Sequence, residues 1–215
     1  MHVEQVQILL PGSLGGLICA ANRYTPNQPS PQWGGYTLVF AHCSSAHKEQ
    51  WNVTIPKLLD LTADSSTIHE AWALDLPSHG DSALLNQEKL RHTRPISVQD
   101  YGDLLYYFSC SSYVTGQRLI AVGHSASTAA WCLAWKQSPK PPIEAFILIE
   151  PVMVPPPITQ DDPRIRRGAH NVKSVLSRLN KWDDMDALAA WMKKRYPWKI
   201  WDKRILDIYI FLEVA

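Results

Sequence analysis

Short apolar runs alternate along the chain with longer segments in which apolar residues recur at helical spacing. Residues 6–10 and 17–21 predict two strands that pair antiparallel, because turn-forming Pro, Gly and Asn residues follow each run. Residues 36–41 are almost entirely apolar, which is typical of a parallel strand covered on both faces. Residues 71–76, 119–122 and 145–149 are apolar as well and predict three further strands.

Helical periodicity fills the intervals between the later strands. Apolar residues recur at helical spacing over residues 51–59, and the sequence from Ser97 to Asp100 resembles a capping box that opens a second helix over residues 101–108. An Ala-rich segment, residues 128–135, predicts a third helix. By the right-handed crossover rule, this alternation of strand and helix predicts an α/β protein with a mostly parallel sheet wrapped by helices.

The composition changes near residue 152. Residues 152–158 are rich in Pro, and the sequence beyond them is basic and rich in Trp. We therefore expect an α/β core over residues 1–151 and, over residues 152–215, a Pro-rich linker followed by a helical cap with an amphipathic helix at residues 185–192. The tryptophans of this second part either pack a small helical unit or line an apolar pocket.

Charge and cysteine content exclude several classes of function. The 21 basic and 20 acidic residues form no long run of either sign, which argues against nucleic acid or an anionic membrane as a partner and favours a small, mostly neutral ligand. No run of 18 apolar residues occurs, so we expect no membrane span, and the N-terminal pattern predicts no signal peptide. The four cysteines occur singly and predict buried thiols in a reducing, cytoplasmic compartment. We expect no metal and no cofactor.

The strongest chemical signal lies between the strand at 119–122 and the Ala-rich helix. Residues 123–127 read Gly-His-Ser-Ala-Ser, which places Ser125 at the apex of a strand–turn–helix unit. Such an apex holds the Ser125 Oγ away from the backbone, and the Ala126 N–H points to where an oxyanion would form. Ser127 stands where the G-x-S-x-G pattern has its second glycine. The pentapeptide alone is compatible with a catalytic serine and with a strand-to-helix turn capped by Ser125.

Three motifs at strand ends resemble those of the α/β-hydrolase superfamily. His42-Cys43 resembles its His-Gly oxyanion loop, residues 75–82 (Asp-Leu-Pro-Ser-His-Gly-Asp-Ser) resemble its D-x-x-G-H-G-x-S loop, and residues 123–127 resemble its nucleophile elbow. Three further segments, residues 47–51, 148–151 and 201–207, are similar to fungal hydrolases of AK-type host-selective toxin clusters, of which some are peroxisomal. The resemblance implies strands 1–6 of this fold with a helical cap. It also implies cleavage of an ester or thioester of a small apolar metabolite in fungal secondary metabolism.

The same resemblance assigns roles to individual residues. Ser125 is the expected nucleophile, Glu150 at the end of the sixth strand is the expected triad acid, and the backbone N–H groups of Ala126 and of Ser44 or Cys43 are the expected oxyanion hole. The catalytic base of this family is a histidine after the last strand.

The position of the base keeps a second interpretation open. The single histidine after Ser125 is His170, in the expected cap. A catalytically silent, truncated protein that at most binds a ligand or a partner is therefore the alternative. We further expect the last strands of the fold to be missing, which would leave strand 145–149 as an exposed apolar edge through which copies associate.

Overall fold

Six β-strands form a single sheet in the computed structural model, which describes residues 1–27, 34–65, 67–114, 117–151, 159, 161–163 and 181–212. They are β1 (His2–Leu9), β2 (Ile18–Thr25), β3 (Tyr36–Ala41), β4 (Ile68–Leu74), β5 (Arg118–His124) and β6 (Ile143–Ile149). Their order in the sheet is β1-β2-β4-β3-β5-β6. β2 pairs antiparallel with β1 and β4, and the pairs β4–β3, β3–β5 and β5–β6 are parallel. The predicted mostly parallel sheet is confirmed.

The chain divides into two compact units, Met1–Val152 and Met153–Ala215, and the described residues of the first contain five α-helices beside the sheet. They are α1 (Thr54–Leu61), α2 (Gly80–Leu85), α3 (Gln87–Leu90), α4 (Val98–Ser109) and α5 (Ala126–Trp135). Short 3-10 helices lie at Gly12–Leu14, Lys48–Trp51 and Ala63–Ser65. α2 and α3 lie in residues 80–90, for which the sequence predicted neither a helix nor a strand. Both are short and carry little apolar periodicity, so the pattern did not reveal them.

The capping box at the start of α4 is confirmed. The Ser97 Oγ accepts a hydrogen bond from the Asp100 N–H at 3.2 Å, and the Asp100 carboxylate accepts one from the Ser97 N–H at 2.7 Å. Its predicted apolar face is buried: Tyr101, Leu104, Leu105 and Phe108. The local cap and the apolar stripe therefore act together to place this helix against the sheet.

Helices cover both faces of the central strands. Alternate residues of β3 join different apolar clusters: Val39 packs in the cluster with Trp131 and Phe108, whereas Phe40 packs in the cluster with Ile55. Both faces of β3 are thus removed from water. This double burial explains why the strand is apolar at nearly every position rather than at alternate ones.

The described part of the second unit contains two α-helices, α6 (Met185–Lys193) and α7 (Lys203–Leu212), and a short 3-10 helix at Trp198–Ile200. The Asp184 carboxylate caps α6 by accepting a hydrogen bond from the Ala187 N–H at 2.8 Å. The Trp191 ring centroid lies 5.4 Å from that of Trp182 and 5.3 Å from that of Trp198. These three tryptophans pack against one another, and the Trp201 ring lies 5.4 Å from that of Tyr209. The predicted linker at residues 152–158 lies outside the described residues.

The prediction of four buried thiols is wrong in part. All four cysteines belong to the described residues and none forms a disulfide, but only Cys19 is buried. Cys43 and Cys132 are partly exposed, and Cys110 is exposed. Cys110 is the C-cap of α4, one residue beyond the end of the helix.

β6 is an edge strand among the described residues, because it pairs there with β5 alone. Ile147 is 50% exposed and Ile149 is 40% exposed. The apolar edge that the sequence predicted is therefore present in this part of the chain. None of the described helices is long and apolar enough to cross a membrane.

Candidate active site

The parallel strands all end at one edge of the sheet. In the strand register, Ala41 of β3 is paired with Leu74 of β4 and with Gly123 of β5, and His124 is paired with Ile149 of β6. The segments that follow these strands therefore leave the sheet side by side. In folds of this type, such an edge is the usual location of the active site.

Ser125 has a strained backbone between β5 and α5. Its φ is 55° and its ψ is −116°, a region that residues with a side chain seldom occupy. The Ser125 N–H donates a hydrogen bond to the Ile149 carbonyl at 3.0 Å, and the side chain is partly exposed. Ala126 is the first residue of α5, so its N–H has no partner within the helix. The predicted strand–turn–helix geometry is present.

Ser127 takes the place of the second glycine without loosening the turn. Its buried Oγ accepts a hydrogen bond from the His124 N–H at 2.8 Å and can donate its own proton to the Ala41 carbonyl at 2.9 Å or the His124 carbonyl at 3.0 Å. The first glycine cannot be replaced in the same way, because a Cβ on Gly123 would lie 2.8 Å from Cδ1 of Trp131. A serine is tolerated at position 127 because β3 and the turn satisfy its hydroxyl.

His42 orients the loop after β3, residues 42–47. Its buried ring lies with Nδ1 2.7 Å from the Cys43 carbonyl, and Nε2 accepts a hydrogen bond from the Leu76 N–H at 3.0 Å, so Nδ1 carries the proton. Burial and the neighbouring His79 lower the pKa of His42 to about 3, which keeps the ring neutral. In a trans peptide the C=O and the next N–H point in opposite directions. The Ser44 N–H therefore points away from the His42 ring.

Glu150 follows β6 with a φ of 48°. Its carboxylate is 83% exposed, and its Oε2 lies 3.7 Å from Nε2 of His124. Burial raises the pKa of the Cys43 thiol to about 11, and the charge of Glu150 adds to this shift. The structure thus brings Glu150 next to His124 and close to the 42–47 loop. His170, the candidate base, lies outside the described residues.

A buried charged cluster at the same edge was missed from the sequence. The Lys48 side chain is 1% exposed, and its Nζ lies 2.6 Å from Glu49 Oε1, 2.5 Å from Asp81 Oδ2 and 3.2 Å from Asp75 Oδ2. Although burial opposes it, these carboxylates raise the pKa of Lys48 above its ordinary value. Asp75, the first residue of the 75–82 segment, is fully buried. Its charge is tolerated there because Lys48 pairs with it.

Gly80 allows this cluster to close. Its φ is +52°, and a Cβ at this position would lie 2.6 Å from Asp75 Oδ2 and 2.9 Å from Cβ of His47. A glycine in the 75–82 segment therefore has a steric reason. Among the described residues, no three His, Cys, Asp or Glu side chains are arranged to hold a metal ion.

Comparison with known protein families gives one match that covers most of the chain. The model described as Alpha/beta hydrolase family matches residues 38–210. No curated protein sequence matches the chain.

Several solved structures share the fold. The peroxisomal alpha-beta-hydrolase Lpx1 from Saccharomyces cerevisiae superimposes with a TM-score of 0.72 at 21% identity, over 98% of this chain and 61% of the yeast chain. A thioesterase domain from the curacin biosynthetic pathway has a TM-score of 0.60 at 16% identity, covering 100% of this chain and 67% of that domain. An esterase of M. tuberculosis has a TM-score of 0.56 at 16% identity, covering 97% and 60%. The chain thus spans about three fifths of the length of the yeast protein, and the α/β-hydrolase fold that the motifs implied is confirmed.

Proposed function

The chain belongs to the alpha/beta hydrolase family, and on that premise we propose that it is a serine hydrolase with Ser125 as its nucleophile. The observation that carries this proposal is the backbone of Ser125, held at φ 55° and ψ −116° between a strand and a helix. A conformation of this kind costs about 1–3 kcal/mol and persists where the surroundings enforce it, as they do at active sites. Here Ser127 and the Ile149 carbonyl hold the turn from both sides.

In the proposed reaction the Ser125 Oγ attacks the carbonyl carbon of an ester or thioester and passes its proton to a base. The N–H groups of Ala126 and Ser44 donate hydrogen bonds to the resulting oxyanion. Ser44 is preferred to Cys43 because the hydrogen bond from His42 to the Cys43 carbonyl turns the Ser44 N–H away from the His42 ring. The alcohol or thiol leaves, and water then releases the acyl group from Ser125. We assign the role of triad acid to Glu150 and name no residue as the base. His170 is the histidine that follows Ser125 in the sequence.

The proposed substrate is an ester or thioester of a small apolar metabolite. The thioesterase domain and the esterase among the structural neighbours support this class of reaction. The fungal, secondary-metabolite setting rests on the resemblance of residues 47–51, 148–151 and 201–207 to hydrolases of toxin clusters. The proposed location is the cytoplasm, and the peroxisomal yeast neighbour supports the peroxisome as the alternative.

One observation favours a second candidate, a catalytically silent protein that only binds a ligand or partner. Ser125 is followed in this sequence by a single histidine, His170. Loss of the base lowers turnover by about 10⁶-fold in a serine hydrolase, so a protein in which no histidine reaches Ser125 would be silent. Labelling of the nucleophile separates the two candidates.

The experiment treats the purified full chain with a fluorophosphonate probe and maps the modified peptide by mass spectrometry. A hydrolase should be labelled at Ser125, Ser125→Ala should abolish the label, and the exposed Ser65→Ala should retain it as a matched control. Glu150→Gln should slow labelling, because a neutral amide stabilises an imidazolium less well than a carboxylate does. Folded wild-type protein that takes up no label would support the silent candidate.

We also propose that copies of the chain associate through β6. Its outer edge carries unpaired backbone groups in the described part of the chain, and Ile147 and Ile149 are half-exposed beside it. Long apolar edges of this kind tend to pair with another strand.

A further inference from the structure

The stretch of residues 42–48, which is the 42–47 loop plus Lys48, is bonded at three points to one other segment, residues 75–82. At its start, His42 accepts a hydrogen bond from the Leu76 N–H at 3.0 Å. In its middle, the Ser45 N–H donates to Nε2 of His79 at 3.3 Å. At its end, the Lys48 N–H donates to Asp75 Oδ1 at 2.7 Å. The loop that carries Ser44 is therefore positioned by the 75–82 segment and not by its own internal bonds alone.

Lys48 is bonded to the 75–82 segment through its side chain as well as through its backbone. The Asp75 carboxylate accepts from the Lys48 N–H with Oδ1 and from the Lys48 Nζ with Oδ2, at 2.7 and 3.2 Å. The same Nζ reaches Asp81 at 2.5 Å and Glu49 at 2.6 Å. One buried ammonium thus joins the end of the 42–47 loop to both ends of the 75–82 segment.

Fold stability alone explains such a cluster poorly. Three carboxylates surround one buried ammonium, and desolvation of these charges offsets much of their attraction. Apolar residues of similar volume often replace buried ion pairs with no loss of stability. The cluster does fix the geometry of the 42–47 loop, which carries the proposed oxyanion donor, the Ser44 N–H.

We propose that Lys48 is a positioning residue for the reaction at Ser125, because its bonds to Asp75 and Asp81 hold the Ser44 N–H in place to receive the oxyanion. This inference rests on the proposed function of Ser125. An oxyanion donor acts only within about 2.7–3.1 Å of the charge that develops, so a small displacement of the loop lowers the rate of attack. Binding of the apolar part of a substrate does not use this N–H and should be unaffected.

The test measures inactivation of the full chain by a fluorophosphonate at pH 8, with the maximal inactivation rate (kinact) and the reversible binding constant (Ki) determined separately. Lys48→Met keeps the length of the side chain and removes its charge. We expect kinact to fall about 10- to 100-fold, less than the roughly 10²- to 10³-fold cost of removing a donor outright, with Ki within twofold of wild type. Lys89→Met is the matched control, since the Lys89 Nζ contacts only the Gly16 carbonyl in the exposed surface at 2.6 Å, and it should change neither constant.

Asp81→Asn provides a second variant in case Lys48→Met does not fold. The Asp81 side chain is 43% exposed, so its neutralisation should be tolerated while it weakens one bond to the ammonium. A severalfold decrease in kinact at unchanged Ki supports the inference. A folded Lys48→Met or Asp81→Asn protein with wild-type kinact, or with a change in Ki alone, would overturn it. Wild-type protein that is not labelled at Ser125 would contradict the proposed function itself and remove the reaction that Lys48 is proposed to serve.

Discussion

Replacement of Ser127 by alanine should destabilise the protein by about 2–3 kcal/mol. The Ser127 hydroxyl is fully buried and serves the His124 N–H at 2.8 Å and the Ala41 or His124 carbonyl at 2.9 or 3.0 Å. The lost bond to a carbonyl costs about 1 kcal/mol, and the part-buried His124 N–H, left without this partner, costs about 1–2 kcal/mol more. The higher helix propensity of alanine returns a few tenths of a kcal/mol.

Urea unfolding of the full chain, followed by circular dichroism, measures this loss. With an m value of about 1–3 kcal/mol/M, the midpoint should move down by about 1 M. Ser109→Ala is the matched control, since Ser109 is also buried. The Ser109 Oγ donates a hydrogen bond to the Leu105 carbonyl at 2.7 Å. That carbonyl also accepts the helical N–H of residue 109, so it keeps a partner when the hydroxyl is removed. Ser109→Ala should cost about 1 kcal/mol or less.

Equal losses for the two serine variants would refute the reasoning, because they would show that the contacts of Ser127 to β3 and to the turn have no special value. A second readout ties stability to the site. Loosening of the turn releases the strained backbone of Ser125, so Ser127→Ala should also slow the labelling of Ser125 in protein that is still folded.

Two further predictions concern acid stability and assembly. Burial raises the pKa of Asp75 from 3.8 to about 6, so its contribution to stability is full below pH 3.8 and is lost as the pH rises through 6. Asp75→Asn removes this contribution. On acidification from pH 6 to pH 4, the free energy of unfolding of the variant should therefore fall more steeply than that of wild type, by about 1 kcal/mol per pH unit. Parallel curves for the two proteins would contradict the prediction. Ile147→Lys places a charge on the β6 edge. In sedimentation experiments it should shift the protein from associated species to monomer. A wild-type protein that is already monomeric at high concentration would exclude association through β6.

Much of this fold could be predicted from the sequence because its information is local. β3 could be read from a run of apolar residues, since both of its faces are buried and nearly every side chain must be apolar. The start of α4 could be read from Ser97 and Asp100, because a capping box is completed within four residues. The turn at Ser125 was recognisable for the same reason, since small neighbours are a requirement of the turn itself.

The tertiary structure alone decided the points that depend on residues distant in sequence. A lysine is normally expected at the surface, and the burial of Lys48 depends on Asp75 and Asp81, which lie 27 and 33 residues further along the chain. Ser127 can replace a glycine because the Ala41 carbonyl, 86 residues earlier, is there to meet its hydroxyl. The periodicity of apolar residues in a sequence predicts which residues are buried among other apolar residues. It does not predict which polar residues are buried, because a buried charge or hydroxyl is stable only where folding brings its partner within hydrogen-bond distance.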